Sequence, residues 1–280
     1  MLEDLNHNFS ASKLFVIIGC GLGIILLSFS LQSEYPHSST LFYTIQEVNA
    51  ESQFKINQII NMSNPEPDNS DHFGYSLAVL DNNRIVVGAP GNYVDGKSSG
   101  SIYIVDSDGN ILQTIDNPEP DNEEERFGYS LAVLDNNRIV VGAPDDDVQK
   151  IKDAGSVYVF DIHGNILQTI ENPEPIWNDH FGNSVSVLDN NKIVVGAPDY
   201  NLGKIERTGV VYIIDSEGNI LQTIKNPEPS NGDHFGNLVM SYGDYKIVVG
   251  APEDDGDDGS KGVIYIFDIN GTKIKKNIKS

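Results

Sequence analysis

The chain is poor in cysteine, in tryptophan and in positive charge. Its single cysteine, Cys20, among 280 residues excludes any disulfide or cysteine-built metal centre within one chain, so stability must come from packing. Its 18 Lys and Arg stand against 41 Asp and Glu, a formal net charge of -23, which argues against a nucleic-acid partner because phosphate binding runs on basic side chains. The acidic surface suits cations or basic partners instead. There is no nucleophile elbow, no phosphate-binding glycine loop with its lysine and no zinc-spaced histidine pair. No catalytic residue is assigned and the chain reads as a non-enzyme.

What the chain does have is a repeat. The pair Phe73-Gly74 returns at Phe127-Gly128, Phe181-Gly182 and Phe235-Gly236, each 54 residues on, and Val-Val-Gly-Ala-Pro keeps the same beat, ending at Pro90, Pro144, Pro198 and Pro252. Four copies follow, over about 64–116, 117–171, 172–225 and 226–280. Such a repeat fixes the architecture before any local pattern does.

Each copy predicts four strands. Strand A is expected over Phe73-Gly-Tyr-Ser-Leu-Ala-Val-Leu80, where Phe73, Tyr75, Leu77 and Val79 alternate with small residues as a pleat requires. Asp81-Asn82-Asn83-Arg84 suggests a type I′ hairpin into strand B, Ile85-Val86-Val87-Gly88. Strand C is centred on Tyr103, Tyr158, Tyr212 and Tyr265, and strand D reads Ile-Leu-Gln-Thr-Ile after Gly109, Gly164 and Gly218, with a departing copy after Gly271. The Asn-Pro-Glu-Pro segments from Asn64, Asn117, Asn172 and Asn226 read as crossings to the next unit, since proline lacks the amide a central strand needs. Four short strands bury too little alone and must stack on their neighbours. The fold class expected is all-β, a β-propeller of four blades with four antiparallel strands each, preceded by one N-terminal hydrophobic helix.

Phe-Gly early in each copy and Gly-Ala-Pro some fifteen residues later resemble the FG-GAP repeat of integrin α-chain propellers. The resemblance covers Asn64 to Ser280 and implies four-stranded blades, extracellular placement and a role in binding or cell adhesion. The chain departs from the family at the A-B connection. Where many such repeats carry a calcium loop, this sequence has only Asp81-Asn82-Asn83-Arg84, Asp135-Asn136-Asn137-Arg138, Asp189-Asn190-Asn191-Lys192 and Gly243-Asp244-Tyr245-Lys246. These are too short for a cage of roughly six or more oxygen ligands. The family's calcium sites do not carry over and no cofactor is assigned. Ile56-Asn-Gln58-Ile-Ile60 repeats the strand D signature before the first strand A, which suggests that the propeller domain begins at residue 54 and that this surplus strand closes the ring beside the last A-B-C set.

Leu14 to Leu31 holds no charge and as a helix would span roughly 27 Å, near the short end for crossing a bilayer. Residues 1–13 are then a cytoplasmic N-terminus, 14–31 a transmembrane anchor or uncleaved signal, and 32–53 a linker. Lys13 precedes the run and no Lys or Arg follows until Lys55, a bias that puts the repeats outside. Ser28-Phe29-Ser30 has the form of a signal-peptidase site, and cleavage near Ser30 would make the protein secreted. Cys20 is read as a buried residue of the anchor.

Function is expected where the loops vary. A-B and C-D turns are short and nearly constant, whereas B-C and D-A connections, on the other face, are long and diverse. Candidate partner-binding residues there are Asp145, Asp146, Asp147, Trp177 and Tyr200. The partner class is an extracellular protein or glycan, with self-association through the repeats as the alternative. Asp254, Asp255, Asp257 and Asp258 offer hard oxygen donors for calcium, though at irregular spacing. His72, His180 and His234, each after an aspartate, read chiefly as loop anchors and only secondarily as transition-metal ligands. Asn61-Met-Ser63 and Asn270-Gly-Thr272 fit the glycosylation sequon. Because the A-B cages are missing, chelating calcium should leave the melting temperature of the array nearly unchanged, and a fall of many degrees would mean that cages exist.

Overall fold

A computed structural model of the chain describes the backbone of residues 13–276, apart from 21–22, 36–37, 49–54, 66–69, 82, 121–123, 136, 190, 244 and 257–261, with side chains from Met62 onward. The chain divides into two compact units, Met1–Asn69 and Ser70–Ser280. The expected N-terminal segment 1–13 lies almost wholly outside the described residues.

In the first unit the backbone forms one antiparallel sheet in sequence order from Lys13–Cys20, Gly23–Tyr35, Ser38–Val48 and Lys55–Ser63. This corrects the helix expected over 14–31. Lys13 stands opposite Ser30 and Cys20 opposite Gly23. An uncharged apolar run has no period that separates helix from strand. Here Val16, Ile17, Ile18, Ile24 and Ile25 favour a pleated surface, and Gly19, Gly21 and Gly23 each disfavour a helix interior. Among the described residues no helix is long and apolar enough to cross a membrane.

The second unit holds one four-stranded antiparallel sheet per repeat, of the propeller-blade kind. Repeat 1 uses Ser76–Val79, Arg84–Ala89, Ser101–Asp106 and Ile111–Asp116. Repeat 2 uses Ser130–Asp135, Arg138–Ala143, Ser156–Asp161 and Ile166–Glu171. Repeat 3 uses Ser184–Asp189, Lys192–Ala197, Val210–Asp215 and Ile220–Lys225. Repeat 4 uses Leu238–Tyr242, Lys246–Ala251, Val263–Asp268 and Lys273–Lys276.

Strand A starts later than its alternation suggests. Phe73 and Gly74 form a turn before it, with Gly74 at φ 86° and the Tyr75 amide donating to the His72 carbonyl at 3.0 Å. The turn throws Phe73 into the core and leaves Tyr75 half exposed, so the two do not share a pleated face. Phe73 meets Tyr103 edge to face at 5.4 Å, and the same pair recurs as Phe127 with Tyr158, Phe181 with Tyr212 and Phe235 with Tyr265. The A-B turn is closed by its aspartate. In repeat 1 the Asp81 carboxylate accepts from the Asn83 amide at 2.9 Å and from the Arg84 side chain at 2.7 Å. The basic residue ending that turn therefore has a structural task.

Successive blades meet where glycine faces glycine. A Cβ on Gly88 would lie 2.2 Å from the Gly128 carbonyl oxygen, on Gly142 2.1 Å from that of Gly182, and on Gly196 2.0 Å from that of Gly236. The glycine of each Gly-Ala-Pro is thus the floor on which the next Phe-Gly turn rests. The Ser76 hydroxyl donates to the Gly128 carbonyl at 2.6 Å and the Ser130 hydroxyl to that of Gly182 at 2.7 Å, holding the contact from the side. Between these lines lie continuous cores, such as Val194, Val211, Ile213 and Ile224 of repeat 3 against Phe235, Val239, Ile247 and Tyr265 of repeat 4.

Repeat 4 breaks the series. Leu238 and Met240 replace Ser184 and Ser186 of repeat 3, and they are 61% and 49% exposed, with Tyr242 at 62%. Ile264, whose counterpart Val211 is buried, is 40% exposed. A Cβ on Gly250 would meet nothing nearer than the Leu238 Cβ at 3.6 Å. Among the described residues of the second unit no other repeat covers this face, so these four repeats are packed in series. The surplus strand expected to close the ring pairs elsewhere: Lys55–Ser63 runs against Ser38–Val48, and repeat 4 takes its fourth strand from Lys273–Lys276, with Tyr265 opposite Lys276. A hairpin from Asp268 to Lys273 costs far less loop entropy than a strand from the other end of the chain. Lys273 also stays near solvent, bonded to Glu228 at 3.1 Å and lying over the Tyr265 ring.

This geometry predicts opposite outcomes for one substitution at two matching sites. Gly142→Ala should cost about 1–3 kcal/mol, because a methyl group there collides with a backbone oxygen that cannot swing away. Gly250→Ala should be neutral or stabilising by up to about 1 kcal/mol. Chemical denaturation of the two variants checks this, and equal effects would overturn the glycine-floor account.

Candidate functional site

The B-C and D-A connections lie together on one face of the blades, and an aspartate or glutamate organises each D-A crossing. The Asn172 amide donates to the Asp179 carboxylate at 3.1 Å while the Asn172 side-chain oxygen accepts from the Glu174 amide. Asn226 does the same with Asp233 and Glu228, and Asn117 with Glu125 and Glu119. The asparagine of Asn-Pro-Glu-Pro is therefore, at Asn117, Asn172 and Asn226, a latch onto the acid that precedes the Phe-Gly turn. Burial pushes Asp179 up to about 6, against the pull of the Ile176 amide and Asn172.

The next residue in each copy, His72, Arg126, His180 or His234, has φ between 53° and 56°, a left-handed conformation that histidine visits more readily than most residues. It aims a basic side chain along the face. Arg126 Nε lies 2.9 Å from Asp145, the residue after Gly-Ala-Pro in its own repeat, and His180 Nε2 lies 3.5 Å from that same carboxylate. Asp199 in turn takes His180 Nδ1 at 2.6 Å and His234 Nδ1 at 2.9 Å, and Glu253 stands 4.0 Å from His234 Nε2. The result is a ladder of alternating charge, Arg126, Asp145, His180, Asp199, His234, Glu253, in which Asp145 and Asp199 each clasp the base of their own blade and that of the next, while Glu253 meets only His234.

The ladder polarises its members. Burial would raise Asp199, but the hydrogen bonds with His180 and His234 win and hold it well below the usual carboxylate range. Burial lowers His180, yet its bond to Asp199 and the charge of Asp145 outweigh that and raise it. His234 is raised by its bond to Asp199 against its partial burial. Asp145 is raised, since burial exceeds the pull of Arg126 and His180.

Where the ladder should begin it stops. Gly91 stands at the place of Asp145, Asp199 and Glu253, and beside it opens a pocket of about 290 Å³ whose lining includes His72, Tyr75, Glu124, Arg126 and Tyr129. Tyr75 and Tyr129 lie 4.7 Å apart, and the Arg126 guanidinium is 5.9 Å from the Tyr129 ring.

A family model described as the FG-GAP repeat matches residues 61–105, 121–160 and 222–267. The chain carries FG-GAP repeats. Its fold is similar to that in the crystal structure of a protein of unknown function from Bacteroides caccae, with a TM-score of 0.54 and 10% identity over 95% of this chain and 93% of that one. At that identity the likeness is one of fold alone. No curated protein matches the chain.

In this FG-GAP array the residues picked out from sequence have different fates. Asp145 and Asp146 are buried, the first in the ladder and the second accepting from the Tyr158 hydroxyl at 2.6 Å. Asp147 is exposed and accepts from the Asp153 amide. Tyr200 is nearly buried, its hydroxyl donating to Glu174 at 3.0 Å. Trp177 projects from its D-A loop with 65% of its surface exposed. Asp254 is buried and accepts from Tyr265, as Asp146 does from Tyr158, while Asp255 is exposed. Asp257 and Asp258 lie outside the described residues. Among the described residues no group of three or more acids and histidines is placed to hold a metal ion. His180 and His234 are joined blade to blade through Asp199. What sequence reasoning missed is the pocket, and its signal was the one glycine, Gly91, among the acids that follow the other Gly-Ala-Pro segments.

The ladder gives stability a pH dependence. Raised histidines contribute fully below about pH 6.5 and lose that contribution as the pH climbs through their folded values, whereas Asp199 contributes above about pH 3.9 and loses it as the pH falls. The melting temperature should therefore be lower at about pH 8.5 than at about pH 6, with a smaller difference in His180→Asn. An identical pH profile for wild type and variant would show that the ladder does not couple the blades.

Proposed function

We propose that the protein is a non-catalytic binding module, working outside the cell, that takes an extracellular protein or glycan on its B-C and D-A face. The observation that carries this reading is the contrast between the two faces. On one, the A-B and C-D turns use their own carboxylates internally, as Asp106 does in accepting from the Asp108 and Asn110 amides. The other face carries the charged ladder, an exposed tryptophan and a pocket lined by aromatic and charged groups. Aromatic side chains with one free face are the usual anchors of such contacts. FG-GAP arrays are often binding modules.

A second reading, self-association, is favoured by the uncovered face of repeat 4, where Leu238, Met240, Tyr242 and Ile264 form an apolar surface of a kind that monomers seldom leave open. The two readings separate in one experiment. Full-length protein is immobilised and exposed to surface extract from its source, alongside Trp177→Ala, and its mass in solution is followed over a concentration series, alongside Leu238→Ser with Met240→Ser. A heterologous partner captured by wild type and lost with Trp177→Ala is the expected result. Capture of the protein alone, with a mass that grows with concentration and reverts in the double serine variant, would replace binding with assembly.

A further inference from the structure

The ladder defines what is missing at its open end. Asp145 lies between the base of its own blade, Arg126, and that of the next, His180, and Asp199 lies likewise between His180 and His234. By the same rule the residue at position 91 belongs between His72 and Arg126, and it is a glycine. The backbone allows nothing larger, since a Cβ on Gly91 would sit 1.9 Å from the Ser70 carbonyl oxygen. Two basic groups that elsewhere share a carboxylate from the chain therefore face a pocket instead. Among the described residues His72 has no acidic partner. Arg126 commits its Nε to Asp145 and has further N–H donors in its planar fork.

We propose that this pocket binds a carboxylated sugar of the hexuronate kind, its carboxylate between His72 and Arg126 and its ring against Tyr75 and Tyr129. The inference rests on the binding-module reading above and gives it a ligand class. Three observations select the class. The repeat itself shows that a carboxylate is the group His and Arg receive at this position in the other blades. The tyrosine pair, with Tyr75 half exposed, offers an aromatic face to a ring and would be wasted on a simple organic acid. The volume of about 290 Å³ is at the small end for ligand sites and suits one ring unit. A polyacidic peptide fits poorly, because a protein of net charge -23 repels a chain of like charges while admitting a single carboxylate. Glu124, which also lines the pocket, adds a further penalty for a second negative group.

The test titrates full-length protein with galacturonate, with galactose and with acetate, by calorimetry and by following the tyrosine ring resonances. Saturable binding of galacturonate, with galactose and acetate each at least roughly tenfold weaker, is expected. His72→Asn and Tyr129→Leu should each weaken it by roughly tenfold, the loss of one charge-assisted hydrogen bond or one ring contact, without lowering the melting temperature. Arg126→Gln should do the same, and the two other variants guard against its loss of the Asp145 pair. Failure of galacturonate to bind, acetate binding as well as galacturonate, or binding unchanged in all three variants would overturn the proposal. Capture of the surface partner by a protein that ignores galacturonate would reject this ligand class and leave the binding-module reading standing, whereas capture of nothing but itself would reject that reading too.

Discussion

Everything in the repeat unit depends on one contact, a backbone carbonyl of one blade resting on a glycine of the blade before it. Gly128 on Gly88, Gly182 on Gly142 and Gly236 on Gly196 bring main chains closer than any side chain permits. That closeness lets the Phe-Gly turn reach the neighbouring sheet and lets the aromatic beside it enter its own blade's core. Phe-Gly and Gly-Ala-Pro are thus the two halves of one joint. They recur together because neither has a use without the other.

The same joint explains the charged ladder. Because the turn ahead of each strand A is seated against the previous blade, the residue before Phe sits at a fixed height over that blade's B-C loop. Its left-handed backbone then aims the side chain at the acid after Gly-Ala-Pro. A partly buried charge needs compensation, and here Asp145 and Asp199 each serve two blades at once. The placement of these charges follows from the packing of the blades. A surface so fixed can present a tryptophan and a pocket without first paying to order them.

Repeat 4 departs from the other three on one side. Its inward half obeys the rules, with Phe235 and Tyr265 in the shared core, while its outward half carries Leu238 and Met240 in place of small polar residues. A leucine there can neither donate to a neighbouring carbonyl nor leave room for one. The outward face is therefore chemically unlike the three internal joints, and an FG-GAP blade would not seat on it as repeats 2 to 4 seat on their predecessors.

The sequence by itself determined the number of repeats, the four strands in each, the two faces and the family, because a hydrophobic pattern copied four times averages away the ambiguity of any single copy. It also marked the short A-B turns, which close on their own aspartates. It could not determine where strand A begins, because alternation in Phe-Gly-Tyr-Ser looks the same whether Phe73 lies in a strand or in a turn, and only backbone torsion separates them. Nor could it choose helix or strand for the uncharged N-terminal run, which has no period to read. The ladder and the pocket were decided by tertiary structure alone. Asp145, His180 and Asp199 are far apart along the chain, and the meaning of Gly91 appears only when blades pack and place an acid between two bases everywhere except there.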